Sequence, residues 1–273
     1  MDIFDITASI VLYKNDKTVL RTINSFFDAS VGKKIKLFLI DNSPTDELRE
    51  ITSDIRTNYI HNPRNPGFGT GHNIGTKQAS GKSKYYLILN PDIYFDGDVL
   101  NQICEFMDNN PNIGVLMPKI LYPDNSIQYV AKLLPTPFDF IVRRFVPYKK
   151  IKEKLNYRFE LRHSGYDKIM DVPFLSGCFM IFKMEVLEKI NGFDENIFMY
   201  TEDIDICRRV IDAGYRSVYY PKVCVHHNHE PKSFTDFKTF KVYLRSAIYY
   251  FNKWGWFFDI RRRIINKRTL SQL

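Results

Sequence analysis

The sequence predicts an α/β chain: a mostly parallel central sheet flanked by helices, a small second sheet and a helical, basic C-terminal tail. Three observations predict it. Over the first 117 residues, short apolar runs alternate with stretches of helical periodicity, as βα units do. Acidic residues stand on turn signals directly after apolar runs, at Asp41-Asn42-Ser43 and Asn90-Pro91-Asp92, where parallel strands would end and a sheet would gather ligands. Beyond residue 121 the alternation breaks up, and the last 38 residues are aromatic and basic.

Taken in order, residues 6–13 (ITASIVLY) read as a buried first strand, ended by Lys14-Asn15-Asp16. A helix is expected over 18–29, with Val19, Ile23, Phe26 and Phe27 on one face. Residues 35–40 (IKLFLI) form a second strand ending at Asp41, 48–55 a short helix, and 58–61 a short third strand. The glycines from Asn65 to Gly75 mark a close-approach loop entering a helix that ends near Ser80-Gly81. Residues 85–89 (YYLIL) are a central strand, 99–109 a helix and 113–117 another strand.

The second half is less regular. Residues 121–126 suggest a hairpin turn, and 132–170, with Pro135, Pro137 and Pro147, an irregular mobile segment such as an acceptor loop or lid. Residues 174–183 read as one strand with a glycine inside it, 184–190 as a helix closed by Asn191-Gly192, and 202–213 as a helix closed by Gly214. Two short strands are expected at 217–220 and 223–226, then a long aromatic helix over 237–256. This divides the chain into a main domain over 1–235 and a C-terminal segment over 236–273. Within the domain, a regularly alternating half over about 1–120 precedes a less regular half over about 121–235.

At 273 residues, 44% hydrophobic and 26% charged, the chain can bury a sizeable core. Its net charge of +8 is concentrated: residues 241–268 hold eight basic side chains against Asp259 alone, leaving the rest close to neutral. Charge confined to a tail argues against nucleic acid wrapping the domain and suits an anionic membrane surface, given the interleaved Trp254, Trp256, Phe257, Phe258, Ile264 and Ile265. Packing on the catalytic domain, or a homodimer contact, is the other role open to this tail. The four scattered cysteines make no CxxC pair and read as buried reduced thiols. No signal peptide and no bilayer-spanning stretch is expected.

The chemistry-bearing residues form four groups. Asp92, held by Pro91 after a strand, can ligate a hard divalent cation that also holds two phosphates. Asp41, Asn42, Ser43 and Asp46 can meet a base or ribose, or cap a helix. Asn65, His72, Asn73 and the glycines between them can approach a nucleotide closely, although the spacing fits neither the phosphate loop nor the dinucleotide fingerprint. Glu202, Asp203 and Asp205 open a helix in greater number than capping requires, and one can serve as general base on a sugar hydroxyl. One histidine among His226, His227 and His229 can complete the Asp92 metal site.

Together these motifs resemble glycosyltransferase family 2, the inverting GT-A enzymes, and most closely its bacterial rhamnosyltransferase-like branch. The resemblance runs over roughly residues 6–230, through Ala8 to Tyr13, Asp41-Asn42-Ser43, Asn65 to Gly75, Asn90-Pro91-Asp92, Ser176-Gly177-Cys178, Gly192-Phe193-Asp194-Glu195, Glu202-Asp203-Ile204-Asp205 and His226. It implies a GT-A nucleotide-diphospho-sugar transferase fold. The donor, a dTDP- or UDP-sugar, would be bound by Tyr13, Asp41, Ser43, Asn65, Gly67, Phe68, Gly69, Asn73, Asn90, Asp92 and Gly177, with Asp41 on the base. Asp92 and His226, or alternatively His229, would hold Mg²⁺ or Mn²⁺. Asn90 stands where many relatives have the first acid of an Asp-x-Asp pair, which leaves one fewer carboxylate. Asp203 would be the base, Glu202 would support it and Asp205 would orient neighbouring groups. The acceptor would be a lipid-linked surface glycan, and the enzyme cytoplasmic and peripheral on the inner face of the cell membrane. A UDP-hexose or UDP-N-acetylhexosamine transferase is the alternative. A nucleotidyltransferase is disfavoured, because no glycine-rich basic segment follows the first strand.

Overall fold

The structure, a computed structural model, describes residues 3–15, 17–51, 53–142, 148–228 and 237–273. Asp16, Pro147, His229 and the expected domain boundary at 235/236 lie outside these residues. The strands are β1 (Phe4–Leu12), β2 (Ile35–Asp41), β3 (Thr57–His61), β4 (Ser83–Leu89), β5 (Ile93–Tyr94), β6 (Ile113–Leu121), β7 (Ala131–Lys132), β8 (Met170–Asp171), β9 (Phe174–Leu175), β10 (Phe179–Lys183) and β11 (Arg216–His227). The α-helices are α1 (Val19–Asp28), α2 (Phe68–Ala79), α3 (Val99–Asp108), α4 (Lys149–Phe159), α5 (Met184–Lys189), α6 (Glu202–Asp212), α7 (Phe237–Trp254) and α8 (Ile260–Leu270).

The main sheet runs β3-β2-β1-β4-β10-β6-β11-β5, with β8 beside β11, and a second small sheet pairs β7 with β9. β3, β2, β1 and β4 are mutually parallel. β10 then enters antiparallel between β4 and β6, so the sheet is mixed rather than mostly parallel. Its central strands are buried on both faces: Leu87, Ile88 and Leu89 of β4 have no exposed surface, and in β1 Ile6, Ala8 and Ile10 line one face while the buried Thr7 and Ser9 stand on the other. A strand buried on both sides carries a near-continuous apolar run, as β4 does.

Several boundaries differ from the sequence reading. The helix expected over 48–55 is absent among the described residues. Arg49 and Ile51 make only isolated turn bonds to Asp46 and Leu48, and Asp54 accepts from the Arg56 backbone, turning the chain into β3. The glycines after Gly67 lie inside α2 rather than in a loop. The stretch over 132–170 is not irregular throughout, since α4 occupies part of it, and Leu133, Leu134, Leu161 and Tyr166 are buried. The strand expected over 174–183 is broken at Ser176-Gly177-Cys178 into β9 and β10. The two short strands expected after residue 216 are one strand, β11, with a register shift between Tyr220 and Cys224. The hairpin at 121–126 and the closure of α6 by Gly214, at φ +94°, are as expected.

Candidate active site

The carboxyl ends of the parallel strands create the site. Leu12 of β1 lies in register with Asp41 of β2, and Asp41 with His61 of β3. Asp41 has no exposed surface; its carboxylate accepts from the Ser43 backbone at 2.9 Å and from the Tyr59 hydroxyl at 2.6 Å. Its visible work is to shape the turn that follows. Ser43 Oγ accepts from the Lys14 backbone at 2.7 Å, and the Asn42 amide donates to the Gly67 carbonyl at 3.3 Å. The half-exposed Tyr13 stands at the end of β1 beside this turn.

α2 is pressed against the sheet by its glycines. A Cβ at Gly71 would stand 2.9 Å from Val11, and one at Gly75 2.4 Å from the Tyr86 hydroxyl. Gly67, at φ +102°, lies so close to Phe198 that a Cβ would be 2.2 Å from its carbonyl oxygen, and the Phe68 N–H donates to that oxygen at 3.0 Å. Gly69 packs on Phe193 in the same way. Asn65 sits at φ +43°, in the turn before the helix. Two residues of this segment are engaged elsewhere than the sequence reading placed them. Asn73 donates to the Phe193 carbonyl and Glu195 and accepts from the Phe193 N–H, so its amide holds the 193–195 turn rather than facing a donor. His72 is fully buried against Ser9, and burial pushes its pKa down to about 3, leaving a neutral core histidine.

The Asn90-Pro91-Asp92 turn leaves β4 and is tied down on two sides. Thr22 of α1 donates to the Pro91 carbonyl at 2.7 Å, and the Asn228 N–H donates to the Asp92 carbonyl at 2.9 Å. β5 follows at once and pairs with the end of β11, setting Tyr94 opposite His226 and Ile93 opposite His227. Successive side chains on a strand point to opposite faces. His226 therefore stacks on Tyr94 and meets Asn125 at 3.0 Å, away from the acid. His227 is the histidine at the site, with Nε2 3.2 Å from Asp92 Oδ1. This corrects the assignment of His226 as metal ligand; His229 lies outside the described residues. The alternation along β11 puts the two histidines on opposite faces, and the pairing with β5 sets which of them meets Asp92.

Gln128 orients His227: its Oε1 lies 3.0 Å from Nδ1, and its amide donates to the His227 carbonyl at 2.8 Å. With the Nδ1 proton shared with Gln128, Nε2 faces Asp92; in the charged ring it donates to that carboxylate, and a bound cation would take the place of its proton. Burial works to lower the His227 pKa, but the neighbouring Cys178 and Asp92 outweigh it and push it up to about 10. Among the described residues no group of three His, Cys, Asp or Glu side chains could hold a metal. One carboxylate and one oriented imidazole nevertheless suit a hard cation that takes its other ligands from phosphate and water.

The candidate base reaches this turn through the break between β9 and β10. The Asn90 N–H donates to the Cys178 carbonyl at 2.9 Å, and the Gly177 N–H donates to Asp203 Oδ2 at 3.2 Å. Two adjacent residues, Gly177 and Cys178, thus join the strand-end turn at Asn90 to the first turn of α6. A Cβ at Gly177 would press on the Phe68 ring at 3.3 Å and touch Asp203 at 3.5 Å. Burial raises the pKa of Asp203 above the ordinary carboxylate range, against the opposing effects of the Gly177 N–H and the Lys132 charge. Glu202 is raised further, by burial and then by the charge on Asp203, and its Oε2 has no partner among the described residues. Buried neighbours of this kind titrate as a pair, and Asp203 is the member that carries the charge first. Lys132 was not anticipated, and nothing in its local sequence marks it; Cys178 was noted only as part of the Ser176-Gly177-Cys178 run.

Asp205 stands apart from its two neighbours. It is fully buried and bonded to Arg209 at 2.7 Å, Lys253 at 2.8 Å and Trp254 Nε1 at 2.8 Å, so it fastens α7 to α6. These contacts tie two helices together, and a role in the chemistry does not follow from this position.

Residues 7–191 match the family described as Glycosyl transferase family 2, over two-thirds of the chain. The chain belongs to glycosyl transferase family 2. As a family 2 member it is an inverting, nucleotide-sugar-dependent glycosyltransferase. Residues 158–233 also match a family described as the N-terminal domain of galactosyltransferase. Rhamnosyltransferase WbbL of Escherichia coli (strain K12) is 28% identical over 76% of this chain and 75% of its own. An N-acetylglucosaminyl-diphospho-decaprenol L-rhamnosyltransferase of Mycobacterium tuberculosis (strain CDC 1551 / Oshkosh) is 26% identical over 72% and 67%. In three dimensions the family 2 chain superposes on GalNAc-T7, crystallised with UDP, GalNAc and Mn²⁺, with a TM-score of 0.63 at 14% identity. That match covers 90% of this chain but about half, 48%, of GalNAc-T7, and it establishes the shared GT-A fold.

Proposed function

We propose that this enzyme transfers L-rhamnose from dTDP-L-rhamnose to a hydroxyl of a growing, lipid-linked bacterial surface polysaccharide, inverting the anomeric centre. The carrying observation is the pair of backbone bonds that set the Asp203 carboxylate beside the Asn90-Pro91-Asp92 turn. The two rhamnosyltransferases above support the choice of sugar, and the diphospho-decaprenol acceptor named for one of them supports the choice of acceptor.

Asp203 takes the proton of the acceptor hydroxyl as that oxygen attacks the anomeric carbon from the face opposite the leaving nucleotide. Its raised pKa suits a base that must both accept a proton and give it up near neutral pH. Glu202, kept protonated by its burial, adds no second charge beside it. Gly177 leaves room for the sugar, with Phe68 as an apolar wall. The base and ribose are read at the Asp41-Asn42-Ser43 turn with Tyr13 at its rim. Asp92 and His227 are the residues that would hold Mg²⁺ or Mn²⁺, whose charge when bound neutralises the departing nucleoside diphosphate.

The cytoplasmic membrane face is the proposed place of work. Phe257, Phe258, Ile260 and Ile264 are 68%, 91%, 69% and 55% exposed, and Arg261 and Arg263 stand between them. Among the described residues no helix is long and apolar enough to cross a membrane.

The test is to titrate UDP and dTDP with Mn²⁺ or Mg²⁺ and then screen their sugars for slow hydrolysis. Metal-dependent dTDP binding, lost in Asp92→Ala, with turnover of dTDP-L-rhamnose, is the expected result. Preference for a UDP-hexose would replace the sugar assignment, and no nucleotide binding at all would overturn the site.

A further inference from the structure

A second cavity, of about 480 Å³, lies between α8 and the turn that follows β7. Its walls include Arg158, Arg263 and Lys267 together with Phe138, Trp256 and Phe257, and no Asp or Glu contributes to its lining. None of these three cations forms an ion pair among the described residues. Arg262, also at the cavity, is instead buried and spent on the carbonyls of Pro135 and Trp256. Three unpaired cations around one concavity focus a field that selects an anion. The aromatic walls, and a volume larger than a phosphate alone would fill, select an anion with an apolar part attached.

The position of the cavity relates it to the acceptor. Lys132 acts electrostatically on Asp203, and Thr136, four residues further along the chain, is in the cavity wall. Four residues span at most about 14 Å. Leu134 between them is pinned to α8, its N–H donating to Asn266 Oδ1 and its carbonyl accepting from Asn266 Nδ2, both at 2.9 Å. The cavity is thus joined by a short stretch of chain to β7, which pairs with β9 just before the Gly177 contact to the base, whereas the donor turn follows β4.

We propose that this cavity binds the phosphate and first hydrocarbon units of a lipid phosphate that carries the acceptor sugar, the cations holding the phosphate and the aromatic rings the chain. The proposal deepens the reading of the acceptor as lipid-linked and rests on it. Such a subsite would hold the acceptor by its carrier while Asp203 meets the sugar hydroxyl.

The experiment uses the full chain and four probes: dodecyl phosphate below its micelle concentration, inorganic phosphate, dodecyl maltoside and monomeric dioctanoyl phosphatidylglycerol. Binding is measured for the wild type, for Arg158→Gln/Arg263→Gln/Lys267→Gln and for Phe138→Ser. Expected are tightest binding of dodecyl phosphate, at least tenfold weaker in the triple variant and weaker also in Phe138→Ser. Equal affinity in wild type and triple variant overturns the proposal. Inorganic phosphate binding as tightly makes the cavity a free-phosphate site, and dodecyl maltoside binding as tightly makes it only an apolar groove. Phosphatidylglycerol binding as tightly assigns it to bilayer headgroups; each of these outcomes also overturns it. Metal-dependent nucleotide binding is followed on the same samples. Its retention while dodecyl phosphate fails to bind refutes this inference alone, and its absence refutes the transferase site itself.

Discussion

At the scale of single residues, the three acids of the Glu202-Asp203-Ile204-Asp205 run have three different environments. Asp203 is held by a backbone N–H at a break in the sheet, Glu202 is buried without a partner for one oxygen, and Asp205 is neutralised by Arg209 and Lys253. Asp203→Asn is expected to lower transfer by about 10²–10⁴-fold while leaving nucleotide affinity unchanged, since only the proton acceptor is lost. Because burial raises the Asp203 pKa, activity should fall as pH drops through a midpoint above the ordinary carboxylate range of about 4. A pH–rate profile with its acidic limb near that ordinary value would remove the burial argument. The two histidines at the end of β11 provide a sharper contrast. His227→Ala should weaken metal-dependent nucleotide binding by about tenfold or more, the scale on which metal sites lose affinity when their supporting contacts go. His226→Ala, which loses only its stack on Tyr94 and its contact to Asn125, should leave that binding unchanged. Equal effects in the two variants would refute the assignment.

At the scale of elements, α2 shows how close approach overrides propensity. Alanine is the better helix former by about 1 kcal/mol, so Gly75→Ala would stabilise an isolated α2. In place, the added methyl would stand 2.4 Å from the Tyr86 hydroxyl and 3.1 Å from Ser9 Cβ. Overpacking of this kind costs about 1–3 kcal/mol, and chemical denaturation of Gly75→Ala should show a net loss. The junction of α6 with α8 depends on charge. Arg208, 2% exposed, donates to both oxygens of Asp259 at 2.6 and 2.8 Å and lies over the Trp254 ring at 4.2 Å. Asp259 also caps α8 by accepting from the Arg262 N–H at 2.9 Å. Removing one partner strands a buried charge, so Asp259→Ala should cost about 3–5 kcal/mol in equilibrium unfolding.

At the scale of the whole molecule, the C-terminal helices are both a structural part and a surface. Arg208–Asp259, Lys253–Asp194 and Arg261–Asp212 join them to the transferase body, so packing on the catalytic domain, one of the three roles open to the tail, is realised. Deleting the segment would therefore disturb the fold as well as any surface it carries. Point substitutions separate the two effects. Phe258→Ser/Ile260→Ser should leave the melting temperature within a degree or two of wild type, since both side chains are exposed, yet reduce sedimentation with phosphatidylglycerol vesicles. Unchanged sedimentation would remove the membrane-face proposal. Trp254 and Trp256 do not belong to that surface: Trp254 is taken by Asp205 and Arg208, and Trp256 packs on Phe251.

The sequence by itself determined what its local patterns encode. Apolar runs gave β1, β2 and β4, and the acids after the last two gave the turns at Asp41 and Asn90-Pro91-Asp92, because a doubly buried parallel strand is largely apolar and must stop at a turn. Helical periodicity placed α1, α3 and α6, and the ordered set of motifs carried the family. Only the tertiary structure decided which of two adjacent histidines faces Asp92, since that depends on the pairing register of β5 with β11. It alone decided that Asp205 and Asn73 are spent on packing, that β10 enters antiparallel, and that the basic tail is partly neutralised by distant acids. Those outcomes depend on partners tens to more than a hundred residues away in the chain, such as Arg208 with Asp259 or Asn73 with Phe193. A local pattern records what a residue is able to do; the partner that folding brings to it determines what it does.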